Sequence, residues 1–472
     1  MPAPKSFLRR AFATRVRAYH LLIGLAAAAL VGAVVRGALK PATPADPFVA
    51  LTVRDIEVAD AGMARISAEW GPDSPAKLLE VFPHVGYGQY YGAIFDVLEE
   101  KTGHYPDRED DREFWLRWMW TQPPPDPTEF ARFRARLYDA VGKPRLADYF
   151  RDDPPTAVRA DEIRWGGVDR DGIPPVRGPK MTPAGEAVYL ADTDKVFGVR
   201  INGDARAYPR RVLGHHELVT DTVGGVPVTG VYCPLCETMI AYHSRTADGQ
   251  VREFGTSGFL YRSNKLMYDV GTLSLWHAIT GKPVVGKLVG SGVRLDQSPV
   301  VTTTWGEWRA ANPDTAVMAM VGLPGSVPNY GEGVAYWKYY QTDRPMFPVP
   351  TPDDRLKNKD EVFAPRLDGD SPPVAVAVRF LAANPVYHLT VGTAELVVVT
   401  TPGGANRAYA VGGRRFKPGP AAGQLTDAAG RTWEVEEAGV RSADGEVLPR
   451  VPGHRSFWFG WHAAHPQTVL VK

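Results

Sequence analysis

Two segments of the chain share a pattern of tryptophans that predicts a duplicated unit. TTWGEWRAANPDTAVM carries Trp305 and Trp308, SFWFGWHAAHPQTVLV carries Trp458 and Trp461, and both follow W-x2-W-x4-P-x-T. Two tryptophans, a proline and a threonine that match in register are unexpected by chance, and an internal repeat constrains a fold before its secondary structure does. We therefore predict a body built from two similar units.

The periodicity of apolar residues changes near residue 160. Between residues 75 and 151 apolar residues recur at three- and four-residue spacing, which is typical of amphipathic helices. From about residue 185 short alternating segments follow, and KVFGVRINGDARAYP contains an Asn-Gly hairpin turn. The expected fold class is α+β. The predicted regions are a membrane anchor (1–40), a small helical subdomain (41–160), a first β-rich unit with the cysteines (161–320), a linker or insertion (321–369) and a second β-rich unit without cysteines (370–472).

The N-terminus contains an apolar stretch, LLIGLAAAALVGAVV at residues 21–35, preceded by basic residues. No convincing small-residue cleavage site follows it, so we predict an uncleaved signal anchor, with a cleaved signal peptide as the alternative. Because the basic residues come first, the positive-inside rule places the bulk of the chain outside the cytoplasm, periplasmic or extracellular, at the cell membrane.

The net charge argues against a nucleic-acid partner. Lys and Arg number 54 against 53 Asp and Glu, which gives a formal charge of +1. Phosphate binding needs a clustered basic surface, and the sequence shows none. A partner other than the membrane, such as another protein, is not indicated.

The two cysteines of the chain, Cys233 and Cys236, lie in VYCPLCETMIAYH and allow three hypotheses. The first is a metal site for copper or zinc, with His216 as a third ligand and Glu217 and His243 as further candidates; soft thiolates favour copper(I). The second is a thiol–disulfide oxidoreductase that uses the pair as a reversible dithiol. The third is a structural or interaction module in which the pair forms a disulfide.

Two observations weigh on these hypotheses. TMIAYH after the cysteines has the character of a strand, whereas a thioredoxin-like site needs a helix there. The second unit has VVTTPGGANRAY where the first has VYCPLCETMIAY, so the unit does not require the cysteines to fold. An obligatory structural disulfide is therefore disfavoured.

Further site candidates surround the cysteines in the sequence. The glycines of FGTSGFLYRSN are expected to permit close approach of backbone near the cysteine turn. Ser257 lacks the G-x-S-x-G context of a hydrolase nucleophile. The additional candidates are Asp221, Gly255, Ser257, Gly258, Asp269 and Trp276.

Several ordered motifs resemble the family catalogued as domain of unknown function 3179. They are DGIPPV, ARAYP, HHELVTD, VYCPLC, FGTSGFLYRSNKLMYD, TLSLW and W-x2-W-x4-P-x-T. The resemblance implies a site centred on His216 with Glu217, the C-P-L-C loop, and the loop of Phe254, Gly255, Ser257 and Gly258. This sequence departs from the family pattern at Thr220, Glu237 and Ala278, where Asn, Gly and Gln are usual. The resemblance therefore implies the location of the site and adds little about its chemistry.

Overall fold

The computed structural model describes residues 43–106, 112–327, 329–367 and 371–472. The predicted membrane anchor at residues 1–40 lies outside these described residues. Within them, none of the helices combines the length and the apolar character that a membrane crossing requires.

Helices dominate the described residues between 43 and 150. Asp55 and Asp126 cap two of them, since their carboxylates accept the backbone N–H groups of Val58 and Glu129. The helices are α1 (Pro47–Ala50), α2 (Ile56–Ala68), α3 (Ser74–Val81), α4 (Gln89–Thr102), α5 (Arg112–Thr121), α6 (Pro127–Ala140) and α7 (Pro144–Ala147), with short 3-10 turns at Phe82–His84, Asp148–Phe150, Ala160–Glu162 and Ala184–Glu186.

A buried ionic cluster joins these helices to the first strand that follows them. Glu80 of α3 accepts hydrogen bonds from Arg134 of α6 at 3.0 Å and from Arg164 at 3.1 Å. Burial alone would raise the pKa of Glu80, but the two arginines outweigh it and lower that pKa to about 2. The helical region is therefore held to the β body by charge as well as by apolar packing.

The remainder is rich in strands, which confirms the predicted α+β class with a β-rich body. The strands of the first part are β1 (Ile163–Trp165), β2 (Val176–Arg177), β3 (Met181–Pro183), β4 (Lys195–Ile201), β5 (Asp204–Pro209), β6 (Leu218–Val223), β7 (Val226–Cys233), β8 (Thr238–His243), β9 (Phe254–Tyr261), β10 (Asn264–Asp269), β11 (Leu275–His277), β12 (Lys282–Val285), β13 (Gln297–Ser298), β14 (Val301–Thr304) and β15 (Ala316–Met318). Those of the second part are β16 (Glu361–Pro365), β17 (Val374–Ala377), β18 (Val386–Val391), β19 (Ala394–Thr400), β20 (Asn406–Ala410), β21 (Phe416–Pro418), β22 (Gln424–Asp427), β23 (Thr432–Val435), β24 (Gly439–Ser442), β25 (Val447–Val451), β26 (Gly453–Phe457) and β27 (Val469–Val471). The helices among them are α8 (Arg210–His216), α9 (Trp305–Ala311), α10 (Trp337–Tyr340), α11 (Val378–Ala383) and α12 (Trp458–Ala464).

Two of the sheets have the same strand pattern. One has the order β14-β4-β5-β15-β3 and the other the order β26-β16-β17-β27. In both, the central pair is antiparallel and the strand after the tryptophan-bearing helix joins in parallel. Within the repeated motif, Trp308 Nε1 donates to Thr315 Oγ1 at 2.8 Å and Trp461 Nε1 donates to Thr468 Oγ1 at 2.9 Å. The spacing of tryptophan and threonine in both segments thus serves the same buried hydrogen bond.

Two further sheets of the first part have the orders β1-β9-β10-β11-β12 and β13-β8-β7-β6-β2. The second part contains an eight-stranded sheet with the order β18-β19-β20-β25-β24-β23-β22-β21. Its two ends approach each other, because Phe416 N on β21 donates to His388 Nε2 on β18 at 2.9 Å. This sheet therefore forms a nearly closed barrel.

The two parts share one apolar core. Tyr242 and Trp276 from the first part pack in the same cluster as Val362, Trp458 and Trp461 from the second. All five side chains are at most 5% exposed. The turn that carries the cysteines lies beside this shared core, at the junction of the two parts.

Candidate functional site

The cysteines lie in the tight turn between β7 and β8. Cys233 ends β7, and the backbone N–H of Cys236 donates to the carbonyl of Cys233 at 3.1 Å. Glu237 completes the turn with a left-handed φ of 46°. Both thiols are free, and the residues are 5% and 0% exposed respectively. An i-to-i+3 turn brings its end Cα atoms within about 7 Å, a separation that a disulfide can span after small adjustment.

The two thiols differ in acidity. A hydrogen bond from Cys236 lowers the pKa of Cys233, despite its burial and the nearby charge of Glu217. Burial raises the pKa of Cys236 well above its usual value. Cys236 Sγ also lies 3.2 Å from Asn264 Oδ1 and 3.4 Å from the carbonyl of Ser263. Cys233 is therefore the sulfur more readily ionised, and Cys236 is the one that keeps its proton.

A buried ion pair stands beside Cys233. Glu217 follows the end of α8 with a left-handed φ of 58°, and its carboxylate bonds to the Nζ of Lys265 on β10. Tyr336 OH donates to the same carboxylate at 2.8 Å. Burial raises the pKa of Tyr336, which keeps that phenol protonated as a donor. These three side chains place a satisfied charge pair against the thiol.

The segment around α10 covers the cysteine turn. Tyr339 OH donates to the carbonyl of Leu235 at 2.8 Å, and Tyr340 OH donates to that of Pro234 at 2.9 Å. The carbonyls of the turn are thus satisfied by two phenols rather than by water. This segment falls within the predicted linker or insertion at 321–369, and it forms one wall of the site.

A cavity of about 70 Å³ opens onto Cys233. Its polar wall is formed by Cys233, Glu217 and Lys265, and Met346 and Phe347 contribute to its apolar wall. A site for one water needs roughly 10–15 Å³ by a comparable measure, so the cavity holds a small group rather than a folded chain. Cys236 does not line the cavity, so Cys233 is the cysteine of the pair that borders it.

The second part of the chain packs against the cysteine turn on the side of Cys236. Phe457 N donates to the carbonyl of Cys236 at 2.7 Å. On α12, a Cβ added to Gly460 would lie 2.9 Å from Cys236 Sγ, so only glycine allows this approach. Asn264 Nδ2 also donates to the carbonyl of Gly460 at 3.0 Å. The repeat helix α12 is therefore packed directly against the buried sulfur.

The predicted ligand His216 has partners of its own. Its Nδ1 lies 2.8 Å from the carbonyl of Pro174 and its Nε2 lies 2.7 Å from Tyr330 OH. Burial lowers the pKa of His216, so a neutral ring that donates from Nδ1 and accepts at Nε2 satisfies both contacts. Both ring nitrogens are occupied in this arrangement.

The second predicted histidine, His243, ends β8 at the far end of the hairpin. It pairs with Val228, whereas Cys233 pairs with Thr238. His243 lies five positions after Thr238 along the strand, which corresponds to roughly 17 Å. The structure brings Glu217 to Cys233 and places His243 away from the pair. In the described ranges, no group of three or more His, Cys, Asp or Glu side chains is arranged to hold a metal ion.

The remaining acidic and aromatic candidates have local roles. Asp221 accepts from Tyr208 OH at 2.8 Å, and burial raises its pKa. Asp269 accepts from Arg252 at 2.9 Å and from the backbone of its own turn. Trp276 is fully buried in the shared core.

The candidates on β9 shape the backbone near the cavity. A Cβ on Gly255 would overlap the ring of Tyr268, and a Cβ on Gly258 would lie 2.5 Å from the carbonyl of Val168. Ser257 is fully buried, and its Oγ donates to the carbonyl of Leu266 at 2.5 Å. Gly258 thus allows the backbone of Val168 to approach closely, whereas Gly255 makes room for the side chain of Tyr268.

Sequence reasoning missed Lys265 and the tyrosines of the covering segment. A single lysine followed by the apolar Leu266 and Met267 in SNKLMYD was the available signal, because a strand buried on both faces leaves such a residue no route to water. The tyrosines of VAYWKYY offered none, since their partners lie more than 100 residues away in the chain.

The comparisons with known proteins name a family but no activity. The family model described as "Protein of unknown function (DUF3179)" matches residues 170–468. No curated protein and no solved structure matches the chain.

Proposed function

Because the chain belongs to the DUF3179 family, whose description states no activity, we propose from the geometry that it is a thiol–disulfide oxidoreductase. The observation that carries this proposal is the unequal pair of thiols. Cys233, of lowered pKa, lines the cavity, while Cys236 stays protonated behind it. A nucleophilic thiolate backed by a buried resolving thiol is the arrangement that dithiol exchange requires.

The proposed reaction runs in two exchanges. The Cys233 thiolate attacks one sulfur of a substrate disulfide, a mixed disulfide forms, and the first substrate sulfur leaves as a thiolate. Cys236 then gives up its proton and attacks Cys233 Sγ, the substrate's second sulfur leaves, and the released sulfurs are protonated to thiols. Two electrons pass from the protein to the substrate. A dithiol reductant then restores the pair, and the reverse sequence oxidises a dithiol substrate.

The surroundings of the pair support a small substrate. The cavity of about 70 Å³ accommodates the sulfur and a short side chain of a small disulfide. The pair of Glu217 and Lys265 is satisfied internally, so it offers a polar wall without an unpaired charge. The tyrosines of the covering segment exclude water from the exchange.

We infer that the body consists of two copies of one unit, of which one carries the site. In the order of elements along the chain, the hairpin of β19 and β20 corresponds to that of β7 and β8, and its turn, Thr401 to Ala405, contains no cysteine. The cysteines are then an addition to a unit that folds without them, which favours chemistry over a structural disulfide.

The second candidate function is binding of copper or zinc by the same sulfurs. Two adjacent thiols favour it, because thiolates prefer soft ions such as copper(I). Zinc usually takes four ligands, and both nitrogens of His216 are engaged elsewhere. The geometry therefore favours dithiol exchange over this candidate.

We further propose that the body lies outside the cytoplasm, anchored by the apolar stretch at residues 21–35. The basic residues before that stretch support this orientation. In an oxidising compartment the cysteine pair would have to be returned to its dithiol form by a reducing partner before it could reduce a substrate.

Trapping with a small disulfide tests the proposal on the full chain. With cystamine as the disulfide, Cys236→Ser should form a stable mixed disulfide at Cys233, because no resolving thiol remains. Cys233→Ser should label far more slowly. The wild type should instead form an internal disulfide and release cysteamine, as intact mass and thiol titration would show.

Two results would refute the proposed dithiol exchange. One is equal labelling of the two single variants, which would contradict the unequal thiols. The other is stoichiometric copper or zinc in the purified wild type that is lost in both cysteine variants. The second result would favour the metal site.

A further inference from the structure

A separate cavity of about 280 Å³ lies between the two parts of the chain. Residues of β12 and β13 form one side of it, and residues of β16, β26 and α12 form the other. It shares no lining residue with the cavity at Cys233.

The lining of this cavity is strongly basic. Lys282, Arg294 and Arg366 all contribute to it, and no described aspartate or glutamate does. Arg366 is half-buried, and its guanidinium donates to the carbonyl of Thr280 at 3.5 Å and also bonds to the hydroxyl of Tyr242. Arg294 is exposed, and within the described residues its carboxylate partner is Asp296 at 4.0 Å. Three cations facing one cavity repel one another unless an anion stands among them.

Two buried polar side chains in the same lining have unused hydrogen-bonding groups. His454 and Gln297 are 4% and 8% exposed, and they bond to each other at 3.1 Å between Nδ1 and Nε2. Among the residues that the structure describes, the Nε2 of His454 and the Oε1 of Gln297 have no hydrogen-bond partner. If the amide of Gln297 donates to Nδ1, the ring of His454 carries its proton on Nε2. The Nε2–H of His454 is then a free donor, and the Oε1 of Gln297 is a free acceptor. Exchanging the amide's N and O reverses the roles and still leaves one of each.

The histidines there are held neutral. Burial lowers the pKa of His454 to about 3, and that of His465 to about 4, with Arg366 acting in the same direction. His454 thus contributes a hydrogen bond rather than a charge, and the charge of the site comes from the lysine and the two arginines.

We propose that this cavity binds a small molecule bearing a phosphate group. A phosphate carries the charge that three cations require and offers several acceptor oxygens to arginine and lysine. Its protonated form also carries an O–H that can donate, which matches a site that presents both a free donor and a free acceptor. The inference does not depend on the chemistry proposed at Cys233.

The test is titration of the full chain with inorganic phosphate, with sodium chloride of equal ionic strength as the reference. Saturable binding is expected for the wild type by calorimetry. Arg366→Gln should weaken it by about tenfold or more, because a charge-assisted hydrogen bond is lost. Arg294→Gln, at an exposed position that the fold tolerates, should weaken it less but measurably. Arg379→Gln is the matched control, since Arg379 is exposed on α11 and outside the cavity.

Three outcomes would overturn the proposal. They are no saturable binding at millimolar phosphate, equal loss in the control, or binding that survives all substitutions in the cavity.

Discussion

Replacing Lys265 with methionine tests whether the ion pair at the cysteine turn is truly shielded from water. Lys265 is 5% exposed and Glu217 is 7% exposed, and the two are bonded directly. Methionine keeps the length of the side chain and removes its charge. The carboxylate of Glu217 would then be left buried with Tyr336 as its one remaining side-chain partner.

The size of the loss follows from that burial. Removing one partner of a buried pair costs about 3–5 kcal/mol, because the other charge stays without compensation. A pair at the surface is worth at most about 1 kcal/mol. Lys195 provides the matched control on β4, since it is 38% exposed and reaches Glu361 only at 3.6 Å. We therefore expect Lys265→Met to lower the free energy of unfolding several times more than Lys195→Met.

The assay is urea unfolding of both variants, followed by circular dichroism. A third protein, with Lys265→Met, Glu217→Leu and Tyr336→Phe together, separates charge from packing. Apolar replacement of a whole buried ionic group is often neutral or stabilising, so this protein should recover most of the loss. A cost below about 1 kcal/mol for the single change would refute the buried pair. A triple variant no more stable than the single one would refute the electrostatic explanation.

Three further predictions concern packing and pH. Gly460→Ala should destabilise the chain by about 1–3 kcal/mol in thermal melts, because its methyl would lie 2.9 Å from the sulfur of Cys236. Gly92→Ala, inside α4 with no atom near the new methyl, should instead stabilise by up to about 1 kcal/mol. Glu80→Gln should cost about 3–5 kcal/mol at neutral pH. Since the pKa of Glu80 is lowered from 4.5 to about 2, the difference from wild type should shrink as pH falls through that window, and a difference independent of pH would contradict the ionic cluster.

The local features of the fold were predictable from the sequence. The Asn-Gly turn of β4 and β5 forms with positive φ at Asn202 and Gly203, as two-residue hairpins require. TMIAYH is strand β8, which agrees with the argument against a thioredoxin-like helix. These features are determined by residues that are close in the sequence, and the periodicity of apolar residues is a reliable guide to such local structure.

The contacts that define the site were beyond that kind of reasoning. Lys265 and Glu217 are 48 residues apart, and Tyr336 lies 119 residues from Glu217. His216 looked like a ligand because of its neighbours in sequence, yet its ring is engaged by Pro174 and Tyr330, 42 and 114 residues away. Which partner a buried polar group finds is decided by tertiary packing, and a single sequence carries no direct record of it.

The contact between Gly460 and Cys236 allows the state of the cysteine pair to be followed by intrinsic tryptophan fluorescence. Trp458 and Trp461 stand on either side of this glycine in one turn of helix, and both indoles are buried. Sulfur near an indole quenches its emission, and the Cys236 sulfur lies against the helix that carries both tryptophans. A change in the chemical state of Cys236 should therefore alter the tryptophan emission of the chain, to which ten further tryptophans also contribute.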